Sequence, residues 1–167
     1  MDLSTKEDRD RLYDYHKHNL VYIGDNIKFA DTKAGVALGA TLLMLGFFGK
    51  IAKKNGVIGL SFSEYSLLIG LIPLIFACYF FIWKVLWPNY PTSSSAYMSW
   101  GGIGSFDNSK AYLNRINPKS DKQIINDMAR QNYSLATVCL KKYKNLKLGF
   151  ISLTTGAIIE SISWFFI

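Results

Sequence analysis

Three apolar blocks divide the chain. Between Ala34 and Gly49 lie 16 residues without a charge, Tyr65 to Trp83 gives 19 more, and Leu148 to Ile167 gives 20 with a single charge, Glu160. A helix needs about 20 mainly apolar residues to cross the hydrocarbon of a bilayer, with about 17 to 25 tolerated. The second and third blocks meet that length. The first reaches it when Lys33 and Lys50 extend their ammonium groups toward the two interfaces and Ile51 and Ala52 join the span. The pattern therefore predicts transmembrane helices over 34–52, 65–87 and 148–167, with a buried helix of a soluble core as the competing reading of the short first block.

Two polar stretches carry a helical period into these blocks. Tyr13, Leu20, Ile23, Ile27, Ala30 and Ala34 recur at steps of three, four or seven, with His16 in the vacant place, which is the seam of a packed helix. Only Gly24 interrupts it, so a helix over 1–33 is expected to continue into the first span. Pro118 with Ser120 or Asp121 marks a second start, after which Ile125, Met128, Leu135, Cys139, Tyr143, Leu146 and Phe150 share one stripe. This helix, over 119–147, runs into the third span. At about 1.5 Å per residue each polar helix is about 40 Å long. Two such parallel helices should pack together, and the leftover stripe area favours a homo-oligomer.

The second span should kink at Pro73 and carries an aromatic belt of Tyr65, Trp83 and Trp87. Trp87-Pro88 and Pro91 end it. The connection over 88–118 is turn-rich, with Thr92-Ser93-Ser94-Ser95, Gly101-Gly102 and Gly104, and a short helix from Asn108 to Ile116. The expected architecture is all-α, with residues 1–167 forming a single membrane domain.

Charge sets the orientation. The chain holds 19 Lys and Arg against 12 Asp and Glu, a net charge of +7. Six of the basic residues lie in 1–33, three in 50–64 and ten in 84–147. A cytoplasmic N-terminus puts 16 of them inside and three outside, as the positive-inside rule expects. The 33 largely polar residues before the first block are unlike a signal peptide, which agrees with an N-terminus in the cytosol. The basic charge is thus assigned to topology and anionic lipid, and no nucleic-acid partner is expected. Cys78 and Cys139 lack metal-site spacing, His16 and His18 fall on different helix faces, and no metal is expected. No Ser-His-Asp set, phosphate loop or paired carboxylate motif is present, so the sequence disfavours an enzyme.

Several residues invite a functional reading. Asp31 and Lys33 stand where helix meets lipid, and Lys28, Lys144 or Lys147 are the candidate partners of Asp31. They form either a hinge that senses helix movement or a structural interfacial pair. Glu160 falls about 18 Å into the third span, at the height of Lys50 on the first. Either it pairs with Lys50 or Lys53 to lock a bundle or line a pore, or it is protonated or near the outer headgroups without a gating role. Gly35 and Gly39, with Gly46 and Gly49 on nearly the same face, offer a smooth strip for packing within one subunit or for assembly.

A further set of strings spans most of the chain. Phe29-Ala30-Asp31-Thr32-Lys33-Ala34 stands at the membrane entry and Leu86-Trp87-Pro88 closes the second span. Trp100-Gly101-Gly102-Ile103 forms a Gly-containing loop, and Asp127-Met128-Ala129-Arg130-Gln131 leads to Lys142-Tyr143-Lys144. In this order, from about residue 20 to the end, the chain resembles the membrane effectors of the Pycsar antiphage system. Where that family's loop usually has a Phe-Phe-Gly type string, this chain has Ser99-Trp100-Gly101-Gly102. The resemblance implies a functional partner, a pyrimidine nucleotide cyclase, whose product, cyclic UMP or cyclic CMP, causes the effector to impair the bacterial inner membrane and the infected cell to die.

A ligand of that kind has one phosphate charge and an aromatic base. Arg115 and Arg130 suit the phosphate, Trp100 or Tyr97 the base, and Gly101 and Gly102 would let backbone donors approach. The competing reading is that both arginines are simply solvated. Two other functions fit the same pattern: a non-catalytic membrane scaffold whose helical stalk recruits a partner, and a small channel or transporter subunit.

Overall fold

A computed structural model describes residues 5–54, 62–88 and 97–165; for residues 51–54, 62–64 and Trp100 it describes the backbone alone. Pro91 and the run Thr92–Ser95 lie outside the described residues, as do the side chains of Ile51, Ala52 and Lys53. The described chain is all-α. Helix α1 runs unbroken over Lys6–Lys54, α2 over Phe62–Tyr79, α3 over Trp100–Gly104, α4 over Ser109–Ile116 and α5, again unbroken, over Asp121–Phe165.

Local chemistry explains the starts. At α1 the Thr5 hydroxyl accepts from the backbone N–H of Asp8 at 3.1 Å and donates to its carboxylate at 2.6 Å, while Glu7 and Asp8 complement the helix dipole. The Asn108 side chain accepts from Ala111 N–H at the start of α4. Before α5 the Gln123 amide oxygen accepts from the Ser120 N–H at 3.0 Å, one half of a capping box. In α2 the α-helical run continues through Pro73 to Tyr79, and the hydrogen-bond pattern changes only at Phe80–Leu86, which is π-helical. There the Trp87 N–H donates to the Ile82 carbonyl five residues back.

The chain groups into two compact units. One holds the chain through Ile27 together with Pro88–Leu140. In it α1 and α5 run parallel: Arg9 pairs with Asp121 at 3.8 Å, and farther along the Asn132 amide donates to the His16 carbonyl at 2.9 Å. Ile27 of α1 and Ile125 of α5, both on the stripes that the periodicity marks out, are buried in this unit.

The other unit holds Lys28–Trp87 and Lys141–Ile167. Its core is Ala30, Ala34, Ala37, Ala77, Phe81, Val85 and Leu146. Here too α1 and α5 are parallel, from Asp31 beside Lys142 to Phe47 against Trp164, whose rings lie 5.7 Å apart. Helix α2 runs antiparallel to α5. Ser66 meets Ser163, Gly70 meets Glu160, Leu74 meets Gly156 and Phe81 meets Gly149. The small residues Gly149, Gly156 and Ser163 recur every seven positions, so α5 presents a shallow groove that admits Leu74 of α2 and Phe81 of the π-helical stretch that follows it.

The glycine strip of α1 behaves differently. Among the described residues, a Cβ added at Gly35, Gly39, Gly46 or Gly49 would have no atom within 4 Å, so these glycines make no close helix contact there. The packed face of α1 is the neighbouring stripe Ala30, Ala34, Ala37 and Thr41, already small enough for close approach.

Three of the helices contain stretches long and apolar enough to cross a membrane. Most of each stretch is not covered by the fold. Val36, Leu43, Ile69, Ile72, Phe76, Ile151 and Ile158 all face outward. An apolar surface this continuous requires an apolar surrounding, which a bilayer supplies.

Candidate functional site

Tyr97, Lys119 and Asp127 form a polar cluster in the first unit. Tyr97 is buried, and its phenol donates to Asp127 Oδ2 at 2.6 Å. The Lys119 ammonium donates to the Tyr97 oxygen at 2.9 Å and also to Asp127, and it stands 4.1 Å from the centre of the Tyr97 ring. Local structure fixes each partner. Ser99, two residues after Tyr97, caps α3 by accepting from Gly102 N–H. The turn between α4 and α5 is closed by the Lys119 N–H donating to the Ile116 carbonyl, and Asp127 follows in α5.

Two arginines border the cluster. Arg130, one turn beyond Asp127, lies 3.7 Å from its other carboxylate oxygen and is largely in solvent. Arg115, in the last turn of α4, stands 5.9 Å from the centre of the Tyr97 ring. Lys119 and Arg130 thus pair with one carboxylate and Arg115 adds a third cation beside the Tyr97 ring, a surplus of two positive charges among these groups.

The titration of the cluster follows from its contacts. Burial pushes the Tyr97 phenol above its ordinary range, and its bond to Asp127 adds to this. Burial alone would lower Lys119 and raise Asp127. For Lys119 that effect is outweighed by hydrogen bonds to Asp127 and Tyr97, which hold its ammonium above the usual range. For Asp127 it is outweighed by hydrogen bonds from Lys119 and Tyr97 and by the charges of Lys119 and Arg130, which hold the carboxyl below its usual range. All three groups therefore keep their bonded forms near neutrality.

The residues expected to hold a nucleotide are placed as follows. Arg115 and Arg130 both stand at the Tyr97–Asp127 cluster. Gly101 and Gly102 are buried, and the Gly102 N–H is already taken by Ser99. The side chain of Trp100 lies outside the description. Lys119 went unread in the sequence: between Pro118 and Ser120 it has the look of a loop lysine, and only the fold brings it to Asp127.

In the second unit Asp31 accepts from Lys142, a cross-helix bond on a lysine other than the three expected. Lys142 is almost fully buried, whereas Lys144 and Lys147 are exposed. Lys33 stands 4.2 Å from the centre of the Phe29 ring and, with Thr32, Val36, Ala40, Phe150 and Leu153 among its neighbours, lines a cavity of about 480 Å³. Glu160 is fully buried and neither of its oxygens has a hydrogen-bond partner. The expected pair with Lys50 is absent: Lys50 is exposed, and Glu160 faces α2 at Gly70. Among the described residues no three His, Cys, Asp or Glu side chains cluster as metal ligands.

Three helices with stretches long and apolar enough to cross a membrane place the chain among helical proteins of the membrane-crossing class. The family model of the Pycsar effector protein domain, PycTM, matches residues 15–167. The chain belongs to this family of transmembrane effector domains. No curated protein and no solved structure matches it.

Proposed function

We propose that the protein is an antiviral effector of the bacterial inner membrane. A cyclic pyrimidine nucleotide, cyclic UMP or cyclic CMP, made by a partner cyclase on infection, activates it, and it then impairs the membrane and brings about abortive infection. The family match over residues 15–167 carries this reading, and the outward-facing apolar helices support it.

The charge distribution supports an N-terminus in the cytosol, with the 88–118 connection on the same side. The cluster around Tyr97 then faces the compartment in which the nucleotide is made. Its surplus positive charge suits a monoanionic phosphate, and Arg115 and Arg130 are the groups with access to solvent. A phosphate held by Arg115 and Arg130 draws Arg130 from Asp127 and competes with that carboxylate for Lys119, which loosens the bonds holding Tyr97. Asp127 sits on α5, the helix that also supplies the third span, so a shift there has a direct mechanical outlet. No bond of the nucleotide needs to break. Exposed Gly35 and Gly39 supply a smooth face for a second copy, so a homo-oligomer is the active form in this reading.

Binding of labelled cyclic UMP and cyclic CMP to the detergent-purified chain tests the ligand. One of the two is expected to bind, and Arg115→Ala and Arg130→Ala each to weaken it at least severalfold. Unchanged binding in both variants removes the cluster as the site. Expression with and without the cyclase, read by entry of an impermeant dye, tests the function, with entry expected only when both are present.

A further inference from the structure

Glu160 is the only ionisable side chain of α5 beyond Lys147, and it is completely buried with both oxygens unpartnered. It is wedged against the backbone of α2: a Cβ at Gly70 would lie 2.8 Å from its Oε1. One turn along α5, the Ser66 hydroxyl donates to Ser163 at 2.6 Å, and Ser163 donates to the Ile159 carbonyl at 2.8 Å. One turn back, Gly156 packs on Leu74.

Among the described residues, the groups at this level of the seam are therefore uncharged on both helices. From α2 they are Ser66, Gly70 and Leu74, and from α5 itself Gly156 and Ser163. Helix α1 carries no charge from Ala34 to Gly49, and the exposed Lys50 does not bond to Glu160. An ionised carboxylate without counter-charge or donor is far more strongly disfavoured here than the neutral acid. A metal cation would need several oxygens arranged about it, and a carboxyl pressed against a glycine backbone leaves no such space. The remaining ligand is a proton.

We infer that Glu160 is a proton-binding site built into the α2–α5 seam, where the neutral acid allows the helices to close at Gly70 and loss of its proton drives them apart. The closed seam binds the proton more tightly than an opened one, so rising pH favours opening. The site is defined by α2 and α5 alone and stands apart from the proposed nucleotide response.

The full chain in detergent tests this with dicyclohexylcarbodiimide, a membrane-soluble reagent for protonated carboxyls. The carboxyl proton passes to a reagent nitrogen while the carboxyl oxygen bonds to the central carbon, so the adduct retains the whole reagent. Peptide mass mapping is expected to find the adduct on Glu160, falling about tenfold or more as the buffer is taken from mildly acidic to alkaline. Failure to label, or labelling that does not change with pH, overturns the inference. In parallel, thermal unfolding of the wild type is expected to lose stability as the pH rises from the ordinary glutamate value of about 4.3 toward the range in which labelling falls, and that of Glu160→Gln, a neutral isostere, to lose less. Parallel pH profiles for the two proteins also overturn it.

Discussion

Asp31 on α1 accepts a 2.5 Å hydrogen bond from Lys142 on α5, a partner 111 residues away in sequence. The two ends of this bond are not equivalent. The Lys142 side chain is 6% exposed and that of Asp31 32%.

That asymmetry predicts unequal costs. Asp31→Ala strands a cation with no route to water and is expected to cost about 3–5 kcal/mol. Lys142→Met leaves a carboxylate that still reaches solvent, so its cost is smaller, and the double variant lies closer to the wild type than Asp31→Ala does. Unfolding in detergent measures all three, and equal single-variant losses would contradict the account.

The Tyr97 cluster predicts loss of stability at both ends of the pH scale. Asp127 titrates below its ordinary value of 3.8, so its contribution is present above that pH and fades as acid carries the solution through the lower folded-state value. Tyr97 and Lys119 titrate above 10.0 and 10.5, so theirs are present below about pH 10 and fade in stronger alkali. Amide protection over residues 97–130, corrected for the intrinsic pH dependence of exchange, is expected to be greatest between these limits. Asp127→Asn should flatten the acid limb, and an unchanged acid limb would refute the assignment.

The glycines predict opposite responses to one methyl group. At Gly156 a Cβ would lie 2.6 Å from Leu74 and 3.3 Å from the Gly70 carbonyl, so Gly156→Ala is expected to lose about 1–3 kcal/mol. At Gly35 and Gly39 the space is open, and alanine is expected to stabilise the isolated chain by about 0.5–1 kcal/mol through helix propensity. Thermal unfolding measures both effects. If the Gly35 face joins two copies, alanine there also lowers the oligomer number read by light scattering, and an unchanged number would remove that interface.

What the sequence made legible is what depends on period and composition. Ala30, Ala34 and Leu146 fall on the predicted seams and are buried, because a helix of fixed pitch leaves little choice once one face must be covered. Height along a span was also readable, and Asp31 does bond across to α5. Which way a side chain points around the axis was not. The level of Glu160 suggested Lys50, but its direction takes it to Gly70; the small residues of α1 suggested Gly35, but the adjacent alanine stripe makes the contact. Lys119 and Asp127 meet only after α4 and α5 turn on each other, a relation that no local spacing encodes.

The most direct test places the purified chain in anionic phospholipid vesicles filled with a quenched dye. The account predicts dye release on addition of cyclic UMP or cyclic CMP, and none without nucleotide or with a cyclic purine nucleotide. Release that ignores the nucleotide, or vesicles that stay sealed with both pyrimidine nucleotides, would contradict it.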